Sequence, residues 1–361
     1  MKKALKWIGI VLGIIIVIVG GYVIYVFSSY DRVPDNQKLK VRHGGRLEEQ
    51  AVPMGKELTV TSSNIGFGAY SDDYTFFMDG GKESRARSVS AIEENIEGSM
   101  RAVGEENPDF ALVQEVDVYG TRSLHVNERE LVTSAISYNR SYDHVFAQNY
   151  DSPYLMYPVT KPHGANKSGI MSFSAYPVNS ALRRKLPIET GLSKVIDLDR
   201  CYSKLRVNAA DGKKLVLYNF HFSAYTANPE TAENQLKMVV KDMRNEYDAG
   251  NYCLAGGDFN ADLLGDSPKI FGTPKLENNW AKPVNMDLFD DKIILEAPFD
   301  ENAMVASCRN PDKPYEKGDF VVTIDGFIRS KNIEVIDSAV IDTGFKYSDH
   351  NPVVMHFKLA K

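Results

Sequence analysis

The sequence predicts an α/β fold in which two packed β-sheets are covered on their outer faces by helices, preceded by one N-terminal transmembrane helix. Three observations predict it. Short β-type runs recur from residue 57 to the end, while amphipathic helical stretches are few. Within that length there is no internal repeat or low-complexity tract, so a single domain is read over residues 57–361. The first 27 residues differ from everything after them, being basic and then wholly uncharged.

Residues 1–6 carry Lys2, Lys3 and Lys6 and no acid. From Trp7 to Phe27 run 21 residues without a charge, which as a helix would measure about 31 Å, the thickness of a bilayer's hydrocarbon core. A cleaved secretory signal would have an apolar run of roughly 7–15 residues and a small-residue cleavage site. Here the run is longer and leaves through Tyr22, Tyr25, Phe27 and Tyr30, side chains suited to a membrane–water interface. The expectation is an uncleaved single-pass anchor over residues 7–27 in the cell membrane, with residues 1–6 cytoplasmic and the remaining chain extracellular, as the lysines dictate. Residues 28–56 are polar and aperiodic, with Pro34, Gly44, Gly45 and Pro53, and read as a stalk.

Leu58 to Asn64 alternates and reads as a strand; Ser84 to Glu106 reads as a helix ending before Pro108. Phe110–Glu115, Gly169–Ser174, Leu215–His221 and Tyr252–Asp258 are apolar enough to be buried strands, and Glu230–Tyr247 is a second amphipathic helix. Residues 262–316 are irregular and proline-bearing, as substrate-binding loops often are. Phe320–Ile328, Ile333–Ile341 and Val353–Leu359 complete the strands. Three cysteines do not make a disulfide framework; Cys253 sits in an apolar run as a small buried hydrophobe, and one bridge, Cys201 to Cys308, is open to the sequence. Three of the 42 basic residues lie in the first six positions, leaving 39 against 48 acidic ones beyond the anchor, a net of −9. That balance argues against tight, nonspecific polyanion binding.

The polar residues that stand out lie at strand ends. Gln114-Glu115 closes one strand, Gly257-Asp258-Phe259-Asn260 another, and His221 a third. Asp325 is set among apolar neighbours, and Ser348-Asp349-His350-Asn351-Pro352 precedes the last strand. Each alone has an ordinary reading: a solvated strand-end acid, an Asx turn, a satisfied core histidine. Together, carboxylates ending separate apolar strands need partners, because burying an unpaired carboxylate costs several kcal/mol. A shared hard cation with oxygen ligands is the economical partner, and phosphodiester hydrolysis requires such a cation, a nucleophile and donors for developing charge.

The ordered set Asn64, Gln114-Glu115, His221, Gly257-Asp258-x-Asn260, Asp325 and Ser348-Asp349-His350-x-Pro352 resembles the endonuclease/exonuclease/phosphatase superfamily over residues 57–360. The resemblance implies a four-layer α/β sandwich with the site at one edge of two facing sheets. It implies that Glu115 is the principal ligand of Mg²⁺ or Mn²⁺, with Asn64 and Asp349 completing the metal site. Asp258 would orient or deprotonate the attacking water, Asn260 would hold a phosphoryl oxygen, and Asp325 would pair with His350. His350 and His221 would touch the scissile phosphate, either one serving as acid or base. The implied activity is phosphoester hydrolysis, with nucleic acid, a phospholipid headgroup or a small phosphoester as substrate and no obligate protein partner. A catalytically silent binding module on the same fold would have lost motif residues, and none is missing. Phe173 and Ala175 stand near positions where many members carry arginine; Arg85, Arg87, Arg122, Arg183, Arg184 and Arg309 are candidates to replace that contact, each otherwise an ordinary surface cation.

Overall fold

A computed structural model describes residues 2–30, 32–45, 50–138, 140–188, 198–224, 230–277 and 279–360. In chain order, helix α1 is Lys2–Ser28, followed by strands β1 (Gln37–Lys38), β2 (Arg42–His43) and β3 (Leu58–Asn64). Helix α2 (Val89–Glu105), β4 (Phe110–Asp117), α3 (Glu128–Ile136), β5 (Asp143–Asp151) and β6 (Lys167–Ser174) come next. Then follow β7 (Val178–Lys185), β8 (Cys201–Asn208), β9 (Lys214–His221), α4 (Glu230–Asp248), β10 (Tyr252–Asp258), α5 (Ser267–Phe271) and β11 (Ile293–Glu296). The chain closes with β12 (Cys308–Arg309), β13 (Val321–Val322), β14 (Asp325–Ser330), β15 (Ile333–Val340) and β16 (Val353–Leu359).

Two seven-stranded mixed sheets form, in the orders β1-β7-β8-β9-β10-β14-β11 and β15-β16-β3-β4-β6-β5-β2. Among the named strands of the described residues, the central pairs β9–β10 and β3–β4 are parallel and the other pairings are antiparallel. Strand periodicity explains the layers. In β9, Leu215 and Leu217 point between the sheets, where they meet Leu58, Val60, Phe110 and Leu112. The alternate residues Val216, Tyr218 and Phe220 point outward and pack under Leu236, Val239 and Met243 of α4. On the opposite outer face, Ile92, Ile96 and Met100 of α2 and Val132 of α3 cover Ala111, Val113, Met171 and Phe173. The result is the four-layer α/β sandwich, helices outside and sheets inside.

Several expected boundaries move. The helix expected from Ser84 begins at Val89, because the Ser88 hydroxyl accepts the Ala91 N–H as an N-cap. The run Phe320–Ile328 is split into β13 and β14, and β11 and β12 lie in the stretch expected to be irregular. Residues 28–56 are not a free stalk: β1 pairs with β7, β2 with β5, and Val52 and Met54 bridge to Ala209 and Leu359. These short, polar edge strands lack a periodic signal because main-chain bonds, not a buried face, hold them. No Cys201–Cys308 bridge forms; all three thiols are free and buried, Cys201 against Ala147 and Ile170, Cys308 beside Ala281 and Val322.

Candidate functional site

The topology collects the chemistry at one edge of the sandwich. Asp258, the last residue of β10, is the register partner of His221 on β9 and of Asp325 on β14, so three polar side chains stand in a row across three strands. From the facing sheet, β3 ends in Asn64, and β4 carries Glu115 at an irregularity between Val113 and Val116. Glu115 has φ 56° and Asn260 φ 50°, left-handed conformations that ordinary side chains avoid and that cluster at functional sites. In β4 the extra residue re-aims the carboxylate toward the cavity.

Asn64 ties the two sheets together. Its Nδ2 donates to Asp258 Oδ2 at 3.0 Å and to Glu115 Oε1 at 3.4 Å, while its Oδ1 accepts Gly66 N–H. Asp258 Oδ1 accepts the Asn260 N–H at 2.8 Å, and Asn260 Nδ2 is held by Phe222 O. His350 Nδ1 donates to Asp325 Oδ2 at 2.8 Å. The Ser307 hydroxyl also donates to that oxygen, and it accepts the main-chain N–H of Ile324 and Asp325. His350 Nε2 lies 3.9 Å and His221 Nε2 3.5 Å from Asp258 Oδ2.

Charge within this buried set is unevenly compensated. Burial disfavours an imidazolium at His350, but the adjacent Asp325 carboxylate outweighs it and holds the ring protonated well above the usual histidine range. His221 is driven far below that range by burial, with Arg200 and His350 nearby, and its Nδ1 has no hydrogen-bond partner among the described residues. Burial pushes Asp258 up to about 7 despite the opposing His350, and raises Asp349 as well. Asp325 Oδ1 is buried without a partner among the described residues.

These groups line a cavity of about 380 Å³, with Glu115, Asn260 and Asp349 on its wall beside Phe76, Met78, Leu198, Arg200 and Trp280. All eight expected site residues therefore converge, although Asn64 and Asp325 sit just behind the cavity wall. Gln114 faces the interior instead, bonding Asn219 Oδ1 between the sheets. Of the six candidate arginines, Arg122 and Arg309 reach the cavity. Neither is the surface cation its type suggests. Arg122 is buried, fork-bonded to Asp117 at 2.8 Å by two nitrogens, and 3.5 Å from Glu115 Oε2. Arg309 is spent on the carbonyls of Ser71 and Tyr74. Arg183 is fully buried on the main chain of residues 33–34 and 148–149. Phe173 lies in the α2–α3 layer. Ser307, Arg200 and the aromatic wall were not anticipated; a lone serine or arginine in a loop carries no pattern, and only the fold brings them here.

Asp258, Asp325 and His350 place three ligand-type atoms within 4.8 Å of one another. Two features argue against that point as the cation site: His350 Nδ1 is already donating to Asp325, and a protonated imidazole repels a cation. Glu115 and Asp349, oxygen donors on the cavity wall whose negative charges repel one another, fit a hard divalent ion better.

The profile of the Endonuclease/Exonuclease/phosphatase family matches residues 62–350. Among solved structures, an endonuclease/exonuclease/phosphatase from Beutenbergia cavernae is similar at 17% identity and TM-score 0.53, covering 84% of this chain and 72% of that one. ANGEL2, a 2′,3′-cyclic phosphatase, is similar at 12% identity and TM-score 0.52, covering 91% and 99%. The human Nocturnin catalytic domain, with bound sulfate, is similar at 16% identity and TM-score 0.51, covering 84% and 95%. No curated protein matches by sequence.

Proposed function

The chain belongs to the endonuclease/exonuclease/phosphatase family, and on that premise we propose that it is a Mg²⁺- or Mn²⁺-dependent phosphoester hydrolase held at the outer face of the membrane by α1. The observation that carries the chemistry is the His221–Asp258–Asp325 row with His350 locked onto Asp325.

Glu115, with Asn64 and Asp349, would hold the ion, which when bound supplies positive charge to the phosphate oxygens. Arg122 sets the Glu115 carboxylate from behind. Asp258, raised toward neutrality and fixed by Asn64 and Asn260, takes the proton of a water as the water oxygen attacks phosphorus. The bond from phosphorus to the leaving oxygen breaks, and that oxygen takes a proton from His350 or solvent. His350, kept cationic by Asp325, presents a charge-assisted donor to the phosphoryl group, and neutral His221 presents a second contact from the adjacent strand. Asn260, strained into the left-handed region, offers its side chain at the same wall.

Membrane anchoring is supported by α1 itself: 27 residues, apolar and exposed along its length except at Tyr22 and Val26 near its end, with lysines only at its N-terminal end. An anchored binding module without catalysis would not need a charged histidine–aspartate pair facing a second buried carboxylate.

The test is an activity panel of the full chain on DNA, RNA, sphingomyelin and inositol phosphates. Hydrolysis of at least one, abolished by chelator and restored by Mg²⁺ or Mn²⁺, is the expected outcome. Full activity in excess chelator sinks the metal assignment.

A further inference from the structure

Between β5 and β6 the chain makes a closed excursion. Its base is pinned where Leu155 N–H donates to Gly164 O at 3.1 Å and Gly164 N–H to Leu155 O at 3.0 Å, and His163 N–H donates to Tyr157 O at 3.0 Å. Its tip is apolar and open: Met156 is 52% exposed, Tyr157 69% and Val159 81%, with exposed Lys161 beside them. Exposed apolar side chains gathered at one loop tip are candidates for an interaction surface.

The surroundings of the tip identify what covers it. The Tyr22 hydroxyl donates to Tyr154 O at 3.2 Å and accepts Met156 N–H at 2.9 Å, and the Tyr25 hydroxyl accepts Tyr154 N–H at 3.2 Å. Both tyrosines lie in the last two turns of α1, where the helix passes from hydrocarbon into the headgroup layer. Backbone bonded to those hydroxyls lies at the same depth.

The excursion touches the catalytic cavity at its base. His163 lines that cavity, as does the exposed Met78. The Tyr157 ring lies 5.6 Å from Phe77, whose ring lies 5.9 Å from His163. The Ser84 hydroxyl donates to Lys161 O at 2.6 Å. On the other side of the helix exit, Asp199 binds Arg32 at 2.7 Å and Val33 N–H at 3.1 Å, between Leu198 and Arg200 of the cavity wall. The chain from Ser28 to Arg32 spans at most about 14 Å when fully extended, so the domain has little room to turn away.

We propose that the excursion of residues 152–163, together with Met78, is seated in the outer interface of the membrane that α1 crosses, so that the catalytic cavity opens onto headgroups and takes phosphoesters carried by membrane lipids. This rests on α1 being a retained span and on the cavity hydrolysing phosphoesters.

The full chain is reconstituted in phosphatidylcholine–sphingomyelin vesicles, with one environment-sensitive fluorophore at Met156→Cys or Val159→Cys and a comparison at Tyr138→Cys, an exposed residue outside the cavity. The natural thiols are buried and do not compete. Blue-shifted emission quenched by headgroup-level lipid quenchers is expected at 156 and 159, with water-like emission at 138. Met156→Asp with Val159→Asp should lower hydrolysis of vesicle-borne sphingomyelin at least tenfold while leaving a water-soluble phosphodiester unaffected. Water-like emission at 156 and 159 in a chain that stays with the vesicles overturns the proposal. Extraction of the chain by alkaline wash overturns the anchor, and the proposal with it. Failure to hydrolyse even the soluble ester overturns the catalytic reading and the lipid-substrate half, while the fluorescence still decides the seating.

Discussion

His350 and Asp325 are joined by a 2.8 Å hydrogen bond inside a buried site, so each sets the other's charge and orientation. Asp325→Asn and His350→Ala should each lower kcat by at least about 100-fold, and the double variant should be little worse than the worse single, because groups acting as a unit lose their contribution only once. Steady-state kinetics of the three variants checks this; multiplicative losses would show that the two act separately. His163 gives a second residue-scale expectation. Its Nδ1 donates to Ser84 O at 2.9 Å, and burial, aided by Arg122, drops its pKa to about 4. A histidine depressed in the folded state contributes stability that is complete above its unfolded pKa of about 6.5 and is lost as pH falls toward 4. Between pH 7 and 4.5 that loss is about 2–3 kcal/mol. Denaturant unfolding of His163→Phe should therefore fall off less with acid than the parent by that amount; equal slopes would remove His163 as the cause. At this scale the sequence was most informative about the acids and histidines at strand ends, whose positions break otherwise apolar runs. Ser307 was invisible, since its role comes from the turn that brings it under Asp325.

The site depends on how two elements end. In β10, Gly257 has φ 154°, and a Cβ built there would fall 2.0 Å from Phe220 O, the carbonyl of the paired strand β9. Gly257→Ala should destabilise the fold by about 3 kcal/mol or more, as overpacking against main chain that cannot retreat, read from the urea midpoint. A change under about 1 kcal/mol would mean that the β9–β10 pairing yields more easily than the geometry indicates. The strands buried on both faces, β4, β6, β9 and β10, were legible as continuous apolar runs. Strand β7 was not, because Val178–Lys185 carries Arg183, which becomes buried by donating to four carbonyls from β5 and residues 33–34. Such satisfaction comes from distant chain and leaves no local periodicity. The same reason hid β1 and β2 within residues read as a stalk, and β5, whose alternating intermediate and buried residues include His144 and Asn149.

Over the whole molecule, the chain beyond α1 is net −9, with 39 basic against 48 acidic residues, and the folded cavity tightens that constraint. Arg122 is committed to Asp117, and Arg309 to the carbonyls of Ser71 and Tyr74. Arg200 also lines the cavity, and it is the arginine expected to meet a substrate phosphate there. A duplex would therefore be held through few phosphates, on the order of two or three. Each phosphate neutralised contributes about −0.9 to the slope of log affinity against log salt, so the slope for duplex DNA should be no steeper than about −2.7. With the loop seated as proposed, a lipid phosphoester presented at the membrane would draw its affinity from the apolar loop and the anchor, and its turnover should change little over the same range. The measurement is kcat/KM of the full chain on duplex DNA and on sphingomyelin in mixed micelles between about 50 and 200 mM salt, where counterion release is readily seen. Rapid DNA cleavage that collapses across that range, with a slope reflecting about six or more phosphates, would make this a surface nuclease whose cationic contacts lie outside the cavity wall.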